Sequence, residues 1–222
     1  MSDRLDGTCA LVTGASSGIG RAAAVALAAE GADVALVARR EGRLETAASD
    51  VADAGGEALV AAADVTDPEA VADAVEETVD AFGGLDVVVA AAGVLERATR
   101  IDDLSLDDYR RQRAVNVDGV FYTVRASLPH LRRSSGTVVL VGSDAGKHAD
   151  PSLQTYGATK WWVRGFAKNL EAREGDSGVG VALVNPGDTR TELDVDGRPL
   201  TEHPDAEAML SPETVADAIA FA

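Results

Sequence analysis

The glycine-rich turn at residues 13–20 (TGASSGIG) constrains the fold of this chain more than any other stretch. It follows an apolar run at 9–13 that predicts a buried strand, and it opens a helical pattern from about 19 to 30. Glycines here allow a tight turn, close approach of the backbone to a pyrophosphate, and close packing of helix on strand. The turn therefore predicts a dinucleotide-binding β-α-β unit, with an ordinary tight turn as the alternative.

The rest of the chain repeats this alternation of short Val-rich runs and longer Ala-rich amphipathic runs, which is typical of a parallel sheet covered by helices. Further strands are predicted at 33–37, 57–62, 86–90, 137–141 and 180–184. Further helices are predicted at about 42–54, 67–82 and 105–132, around 156–160, and from 211 onward. The predicted fold is α/β: a single-domain Rossmann-type doubly wound parallel sheet over residues 1–222, with helices on both faces and the final strand apparently absent.

The charge balance is strongly acidic, with 37 Asp and Glu against 20 Lys and Arg and a formal net charge of −17. Broad electrostatic contact with nucleic acid would be repulsive, so no nucleic-acid partner is expected. An acidic, lysine-poor surface fits a high-salt cytoplasm, where screening removes self-repulsion. It equally fits an ordinary acidic protein from a GC-rich genome, and the composition leaves both interpretations open.

Cys9 is the only cysteine, which excludes an intramolecular disulfide and favours a reducing compartment. The first residues lack the apolar core of a signal peptide, and no apolar run approaches membrane-spanning length. The expected location is the cytoplasm, without membrane contact. His130, His148 and His203 are dispersed without ligand spacing, so no metal site is expected.

The end of the predicted second strand bears on the choice of cofactor, because an acid there would accept from the ribose 2′-OH of NAD. This chain has the neutral Ala38, followed by Arg39 and Arg40. Guanidinium groups suit a 2′-phosphate, which they hold bidentately. We therefore expect NADP(H) rather than NAD(H), with Arg39 as the principal contact and Ser16 as a second one. The alternative is that both arginines are solvated charges at a helix start.

A candidate acid/base group lies on the helical pattern around 156–160. Tyr156 and Lys160 are four residues apart, so their side chains leave the same face of a helix, and Ser143 precedes them. A neighbouring ammonium favours the phenolate, which predicts a pKa of Tyr156 below its ordinary value. By itself such a pair is more often an ordinary pair of surface neighbours.

Two polar residues are ambiguous on local grounds. Asp64 follows the predicted third strand, where its carboxylate either accepts from the adenine amino group of a dinucleotide or caps the next helix. Asn116 lies within a long helical pattern and is a weak helix former, and its sequence surroundings alone suggest a surface residue.

Together these residues resemble the classical short-chain dehydrogenase/reductase family, in family order and at family-like spacing over nearly the whole chain. The matching stretches are 13–20 (TGASSGIG), Asp64-Val65, Asn116, Ser143, Tyr156-x-x-x-Lys160 and Asn185-Pro186-Gly187. Each match alone is modest, and the ordered set is specific.

The resemblance implies an NADP(H)-dependent oxidoreductase that interconverts a carbonyl and a secondary alcohol of a small molecule. Tyr156 would transfer a proton to or from the substrate oxygen. Lys160 would depress the pKa of Tyr156 and bond the nicotinamide ribose, Ser143 would polarise the substrate oxygen, and Asn116 would hold a water that relays protons to Lys160. A polar segment at about 188–204 is the expected lid.

The resemblance also implies a set of cofactor contacts, in which the backbone of Thr189 and the side chain of Thr191 meet the carboxamide. The implied contacts are Gly14, Ser16, Ser17, Gly18, Ile19, Gly20, Arg39, Arg40, Asp64, Val65, Ala92, Gly93, Tyr156, Lys160, Pro186, Gly187, Thr189 and Thr191. A homodimer or homotetramer is implied as well, with Trp161 or Trp162 at an interface and core packing as the alternative.

One departure concerns the run Ala90-Ala91-Ala92-Gly93, because the family usually has Asn-Asn-Ala-Gly there. The missing amides bear on stability and cofactor affinity more than on the chemistry. A non-catalytic dinucleotide sensor on the same fold is the alternative function, and an epimerase or dehydratase of the extended branch is a second one. The substrate stays open among 3-oxoacyl chains, 3-hydroxy acids, sugars or polyols, and steroid-like or terpenoid ketones.

Overall fold

The structure is a computed structural model, and it describes residues 4–97, 100–195 and 198–222. Six strands form one parallel sheet in the order β3-β2-β1-β4-β5-β6. These strands are β1 (Cys9–Thr13), β2 (Asp33–Ala38), β3 (Ala58–Ala62), β4 (Val87–Ala90), β5 (Thr137–Val141) and β6 (Gly180–Val184). The helices are α1 (Gly18–Ala29), α2 (Glu41–Ala54), α3 (Pro68–Phe82), α4 (Leu106–Arg113), α5 (Val120–Ser134), α6 (Gln154–Glu174) and α7 (Pro212–Phe221). The predicted doubly wound α/β fold is confirmed.

The strand order determines where a crevice opens at the edge of the sheet. The chain winds outward from β1 to β3 and then returns to the other side of β1, so β1 lies between β2 and β4. At this switch point Thr13 stands opposite both Val37 and Ala90. Helices leave β1 and β4 toward opposite faces, which opens a crevice at the carboxyl ends of these strands.

Both faces of the sheet are covered by helices, and small apolar residues let the helices pack closely. On one face, Ala24 and Leu27 of α1 share a buried cluster with Ile219 of α7. On the other face, Val124 of α5 and Val163 of α6 belong to a second cluster, and both are at most 1% exposed. A Val-rich sheet buried on both sides explains why the strands appear as continuous apolar runs in the sequence.

The long helical stretch between β4 and β5 is confirmed, and a π-helical segment at Ala114–Gly119 joins α4 to α5. The helical stretch begins at α4, whose N-cap is Ser105; the Ser105 side chain accepts a hydrogen bond from the Asp108 backbone N–H at 3.0 Å. A π-helical segment inside an α-helix is rare and occurs often at functional sites. Asn116 lies on this segment and is 0% exposed, so the suggestion of a surface residue is wrong.

The expected lid contains short elements. Strands β7 (Asp194–Val195) and β8 (Arg198–Pro199) pair antiparallel, and 3-10 turns follow. Near its start this segment is hydrogen-bonded to the chain before α7, because the Arg190 N–H donates to the Leu210 carbonyl at 2.9 Å. Within the described parts of the chain, none of the helices has the length and apolar character needed to cross a bilayer.

Candidate active site

The glycine turn brings the backbone of β1 against the segment that follows β4. Gly14 has a φ of +71°, and a Cβ there would lie 2.8 Å from the Ala92 Cα. A Cβ at Gly20 would lie 2.4 Å from the Gly14 carbonyl oxygen, so a side chain would push α1 away from the turn. The glycines therefore serve the close packing that the sequence predicted.

The start of α1 has the properties of a dinucleotide phosphate site. Ser17 is the N-cap and makes no side-chain capping bond, so the first N–H groups of the helix stay available to a ligand. The positive end of the helix dipole favours an anion at the same place. Gly18 has a φ of +53°, and a Cβ there would come within 3.1 Å of the Thr191 side chain. The lid thus begins directly over this turn, and the residues present fit a dinucleotide.

A cleft of about 960 Å³ runs along the carboxyl ends of the strands. Every residue expected to contact the cofactor lines this cleft, and so does Ser143. Asn116 is not among the lining residues and lies behind the wall of the cleft. The structure therefore brings together residues that are up to about 180 positions apart in the chain, in one continuous groove.

The two arginines after β2 take different positions. Arg40 donates to the Ser16 Oγ at 3.0 Å and to the Ser17 Oγ at 3.4 Å. Arg39 instead approaches Asp64, with 3.8 Å between Nη1 and Oδ2. Burial and the neighbouring guanidiniums lower the pKa of Arg40. This crowding of positive charge next to the glycine turn suits an anionic group.

Asp64 also has a local role. Its Oδ1 accepts from the Thr66 N–H at 3.0 Å and from the Thr66 hydroxyl at 2.9 Å. The cap of α3 is Asp67, which accepts from the N–H groups of Glu69 and Ala70. Asp64 therefore shapes the turn before the helix, and its second oxygen faces the cleft near Arg39.

Thr13 supports the segment where the family has asparagines. Its hydroxyl accepts from the N–H of Ala91 at 3.2 Å and from the N–H of Ala92 at 3.3 Å. Both donors are backbone groups, so the interaction does not depend on the side chains of 90–92. The segment is held against β1 without the amides that the resemblance led us to expect.

Tyr156 and Lys160 lie on the first two turns of α6 and reach the cleft from the same face. Tyr156 is 9% exposed and Lys160 is 5% exposed. The Lys160 Nζ donates to the Val141 carbonyl at 3.0 Å and lies 5.7 Å from the centre of the Tyr156 ring. Ser143 follows β5 and accepts from the Ala145 N–H at 3.2 Å, which fixes its side chain beside Tyr156.

The expected lowering of the pKa of Tyr156 is wrong for the protein without cofactor. Burial raises this pKa, and hydrogen bonding with the Ser143 side chain opposes the shift without reversing it. Burial also lowers the pKa of Lys160 to about 8. Burial therefore disfavours both charged forms, the phenolate of Tyr156 and the ammonium of Lys160.

Asn116 fastens two walls of the site. Its Oδ1 accepts from the Val94 N–H at 2.9 Å, and its Nδ2 donates to the Val94 carbonyl at 2.8 Å. Nδ2 also donates to the Thr159 hydroxyl at 3.2 Å. The side chain therefore acts on the backbone after β4 and on α6, next to Lys160.

Sequence reasoning missed two residues of the site. Gln112, which is fully buried, accepts from the Glu96 N–H at 2.7 Å and donates to the Thr155 hydroxyl at 2.7 Å. Arg111 lines the cleft and pairs with Glu96 at 2.6 Å. The available signal for Gln112 was its spacing, because it precedes Asn116 by four residues on one helical pattern.

His148 also lines the cleft, and its side chain is 75% exposed. Among the residues that the structure describes, no group of three or more His, Cys, Asp or Glu is placed to hold a metal ion.

Comparisons with known proteins agree with this geometry. A model of the family described as short chain dehydrogenase matches residues 8–199. A glycine betaine reductase of Emericella nidulans is 37% identical over 98% of this chain, which spans only 18% of the length of that relative.

Two solved structures are similar in both sequence and fold. A short chain dehydrogenase from Burkholderia cenocepacia in complex with NADP has 35% identity and a TM-score of 0.88, over 98% of this chain and 91% of that one. A 3-ketoacyl-(acyl-carrier-protein) reductase from Brucella melitensis complexed with NADH has 31% identity and a TM-score of 0.88, over 98% and 90% of the two chains.

Proposed function

Because this chain belongs to the short-chain dehydrogenase family and is an oxidoreductase of that family, we propose that it interconverts a carbonyl and a secondary alcohol, with Tyr156 as proton donor and acceptor. The observation that carries the proposal is the convergence of Tyr156, Lys160 and Ser143 on one cleft with the glycine turn. The substrate is a small molecule that enters at the carboxyl ends of the strands.

The residues of this chain supply proton transfer, orientation and exclusion of water. In reduction, the Tyr156 hydroxyl gives its proton to the substrate oxygen, and in oxidation the phenolate takes it back. The Ser143 hydroxyl donates to the same oxygen and so favours the charge that develops there. When bound, a nicotinamide cofactor supplies or accepts the hydride. Lys160 would bond the ribose of the cofactor, and Asn116 would belong to the path that returns a proton to Tyr156.

The raised pKa of Tyr156 fits the reducing direction. Burial keeps the phenol protonated at neutral pH, so the proton donor is present when a carbonyl arrives. Oxidation needs the phenolate, and it becomes favourable only when binding adds positive charge or hydrogen bonds near the phenol oxygen. We therefore propose that catalysis at neutral pH favours reduction and that oxidation gains rate as the pH rises.

NADP(H) is the proposed cofactor, with NAD(H) less favoured. The neutral Ala38 leaves room for a 2′-phosphate, and Arg39 and Arg40 surround the place beside Ser16 where it would lie. One structural relative is in complex with NADP and another with NADH, so these relatives do not favour either cofactor. The proposed preference therefore depends on Ala38, Arg39 and Arg40 of this chain.

We propose that the enzyme is a homodimer or homotetramer. Phe121 of α5 and Trp161 and Trp162 of α6 are between 37% and 48% exposed, and Trp162 stacks on Phe166 with 4.9 Å between ring centres. An apolar surface of this kind favours burial against a second subunit. The buried, unpaired thiol of Cys9 supports a reducing compartment, which we propose is the cytoplasm.

The test is Tyr156→Phe, assayed with NADPH against a panel of carbonyl compounds. Removing the proton donor should lower kcat by about 10²- to 10⁴-fold while NADPH still binds, because the phenyl ring keeps its packing. Tyr109→Phe, at an exposed position of α4, is the matched control and should retain full activity.

Two results would contradict the proposal. Substantial turnover by Tyr156→Phe would remove Tyr156 from the chemistry. Tight NADPH binding by the wild type without consumption of NADPH for any carbonyl would favour the non-catalytic dinucleotide sensor.

A further inference from the structure

We propose that Gln112 is a positioning residue that fixes the first turn of α6, and with it the Tyr156 hydroxyl, against the wall of the substrate cleft. The inference rests on the proposed function, since it names a further residue on which proton transfer depends. Gln112 touches neither of the groups that exchange the proton, and it acts through Thr155 and the backbone of Glu96.

The burial of Gln112 is the first observation. A primary amide that is 0% exposed has lost its hydration and must find partners inside the protein. It finds them in two different elements, because Oε1 accepts from the Glu96 N–H and Nε2 donates to the Thr155 hydroxyl, each at 2.7 Å. One rigid amide plane therefore sets the distance between the segment after β4 and the start of α6.

Gln112 repeats the arrangement of Asn116 one turn earlier. Both carboxamides accept from a backbone N–H in the segment 94–96 and donate to a threonine hydroxyl on α6. The two threonines, Thr155 and Thr159, are also four residues apart. Each directly precedes a residue of the proposed proton path, so Asn116 fastens the turn of Lys160 and Gln112 fastens the turn of Tyr156.

The start of α6 has particular need of such a bond. Its N-cap residue is Leu153, which makes no side-chain hydrogen bond to the first turn. An uncapped first turn frays more readily than the helix interior, because its N–H groups lack intrahelical partners. Tyr156 is the third residue of this helix, so it lies in the first turn and moves with it. Gln112 supplies from a neighbouring helix the restraint that a cap would supply locally.

The geometry predicts a loss of rate rather than of cofactor binding. Gln112→Met keeps the length of the side chain and removes both hydrogen bonds, and Thr155→Val keeps the shape and removes the hydroxyl. Each variant should lower kcat by about tenfold or more, because a small displacement of the Tyr156 hydroxyl removes much of the rate enhancement that this acid/base group provides. The KM for NADPH should not change, because the glycine turn and the arginines are untouched.

Matched variants separate positioning from general damage. Thr155→Ser restores the hydroxyl and should restore kcat. Gln154→Met makes the same Gln-to-Met change as Gln112→Met, at an exposed position next to Thr155. The Gln154 amide bonds only the nearby Pro151 carbonyl in the described structure, so this variant should behave as the wild type. Where Gln112→Met fails to fold, Thr155→Val decides, because Thr155 is only partly buried.

A readout without turnover keeps this inference distinct from the proposed function. The tyrosinate absorbance of the cofactor-free protein, less that of Tyr156→Phe, gives the titration of Tyr156 alone. In Gln112→Met and Thr155→Val this titration should move to lower pH, because loosening admits water to a phenol whose pKa is raised by burial. The charged neighbours Lys160 and Asp188 are the same in all variants.

The outcomes are separable. If folded Thr155→Val keeps the wild-type kcat and an unshifted titration of Tyr156, the positioning role of Gln112 is overturned. Tyr156→Phe still tests the proposed function in that case. A wild type that turns over no carbonyl defeats the proposed function, and the titration then decides alone. A shift that Thr155→Ser reverses supports the role of Gln112, and the absence of a shift refutes it.

Discussion

Lys160 brings an ammonium group into a site where only 5% of the residue is exposed, and its Nζ donates to the Val141 carbonyl. Burial lowers the pKa of Lys160 from 10.5 to about 8. Between about pH 8 and 10.5 the unfolded chain keeps this proton and the folded protein has released it. The unfolded state therefore binds more protons in that window, and the free energy of unfolding contributed by Lys160 rises with pH.

Lys160→Met should remove this pH dependence. From about pH 7 to about pH 10 the wild type should gain on the order of 2 to 3 kcal/mol relative to the variant, since each unit of pKa shift corresponds to about 1.4 kcal/mol. Urea titrations of the cofactor-free proteins measure the difference without changing ionic strength. Lys168→Met, at an exposed position of the same helix, is the control and should follow the wild type. A constant difference between wild type and Lys160→Met would contradict the burial of the charge.

Single residues differ in how far the sequence predicts them. The glycines and the pair Tyr156 and Lys160 are fixed by local spacing, so the sequence places them in the cleft correctly. The pKa of Tyr156 is not local, because it depends on burial and on Ser143 and Asp188, which are distant in the sequence. The burial of Asn116 follows from packing between α6 and the segment after β4, which no helical pattern reveals.

At the scale of elements, the turn from β2 to α2 faces the start of α1, and this contact sets the proposed cofactor preference. Arg40 is bonded to Ser16, whereas Arg39 is drawn toward Asp64. Arg43, one turn into α2, pairs with Glu192 of the lid. Of the three cations, Arg40 thus lies nearest to the glycine turn, although the spacing in the sequence had favoured Arg39.

Cofactor selectivity should respond to both arginines and to Ala38. Arg40→Ser should raise the KM for NADPH by about tenfold or more, since a charge-assisted bond contributes about 1.5–3 kcal/mol, and should change the KM for NADH much less. Ala38→Asp combined with Arg39→Ser should reverse the preference toward NADH.

The control for these variants is Arg110→Ser, which removes the same charge from an exposed ion pair on α4. It should leave the ratio of the two KM values unchanged. An equal effect of Arg40→Ser on both cofactors would assign Arg40 to the pyrophosphate instead. An unchanged ratio in all the variants would refute the NADP(H) proposal.

The elements themselves were largely predictable. The six strands appear where Val-rich runs stand between turn residues, and Asp67 and Ser105 cap the helices that they were expected to open. The π-helical segment at Ala114–Gly119 was not predicted, because the sequence pattern indicates one regular helix from about 105 to 132. The hairpin of the lid is too short to give a periodic signal.

At the scale of the whole molecule, the acidic excess must be carried by the surface, because the interior is built of Val, Leu and Ala. Part of it is local, since α3 carries exposed acids at Glu69, Asp73 and Glu77, each four residues from the next. Like charges at this spacing repel one another on a helix. Summed over a net charge of −17, such repulsion lowers stability when salt is dilute.

Screening should therefore stabilise this protein. Between about 0.1 M and about 2 M KCl the Debye length falls from about 10 Å to below about 3 Å, and repulsion between neighbouring carboxylates fades. We expect Tm to rise by at least about 3 °C, which corresponds to about 1 kcal/mol for a chain of this size. An unchanged Tm would favour the ordinary acidic protein over the high-salt interpretation.

Salt also strengthens apolar burial, so the rise in Tm needs a variant that isolates charge. Asp73→Asn combined with Glu77→Gln removes two adjacent like charges from α3, and it should raise Tm in dilute salt and reduce the gain on adding KCl. Asp107→Asn, which removes an acid paired with Arg110, is the matched control and should not raise Tm in dilute salt. If the double variant shows the full wild-type gain in KCl, then the stabilisation comes from apolar burial and the acidic surface is not its cause.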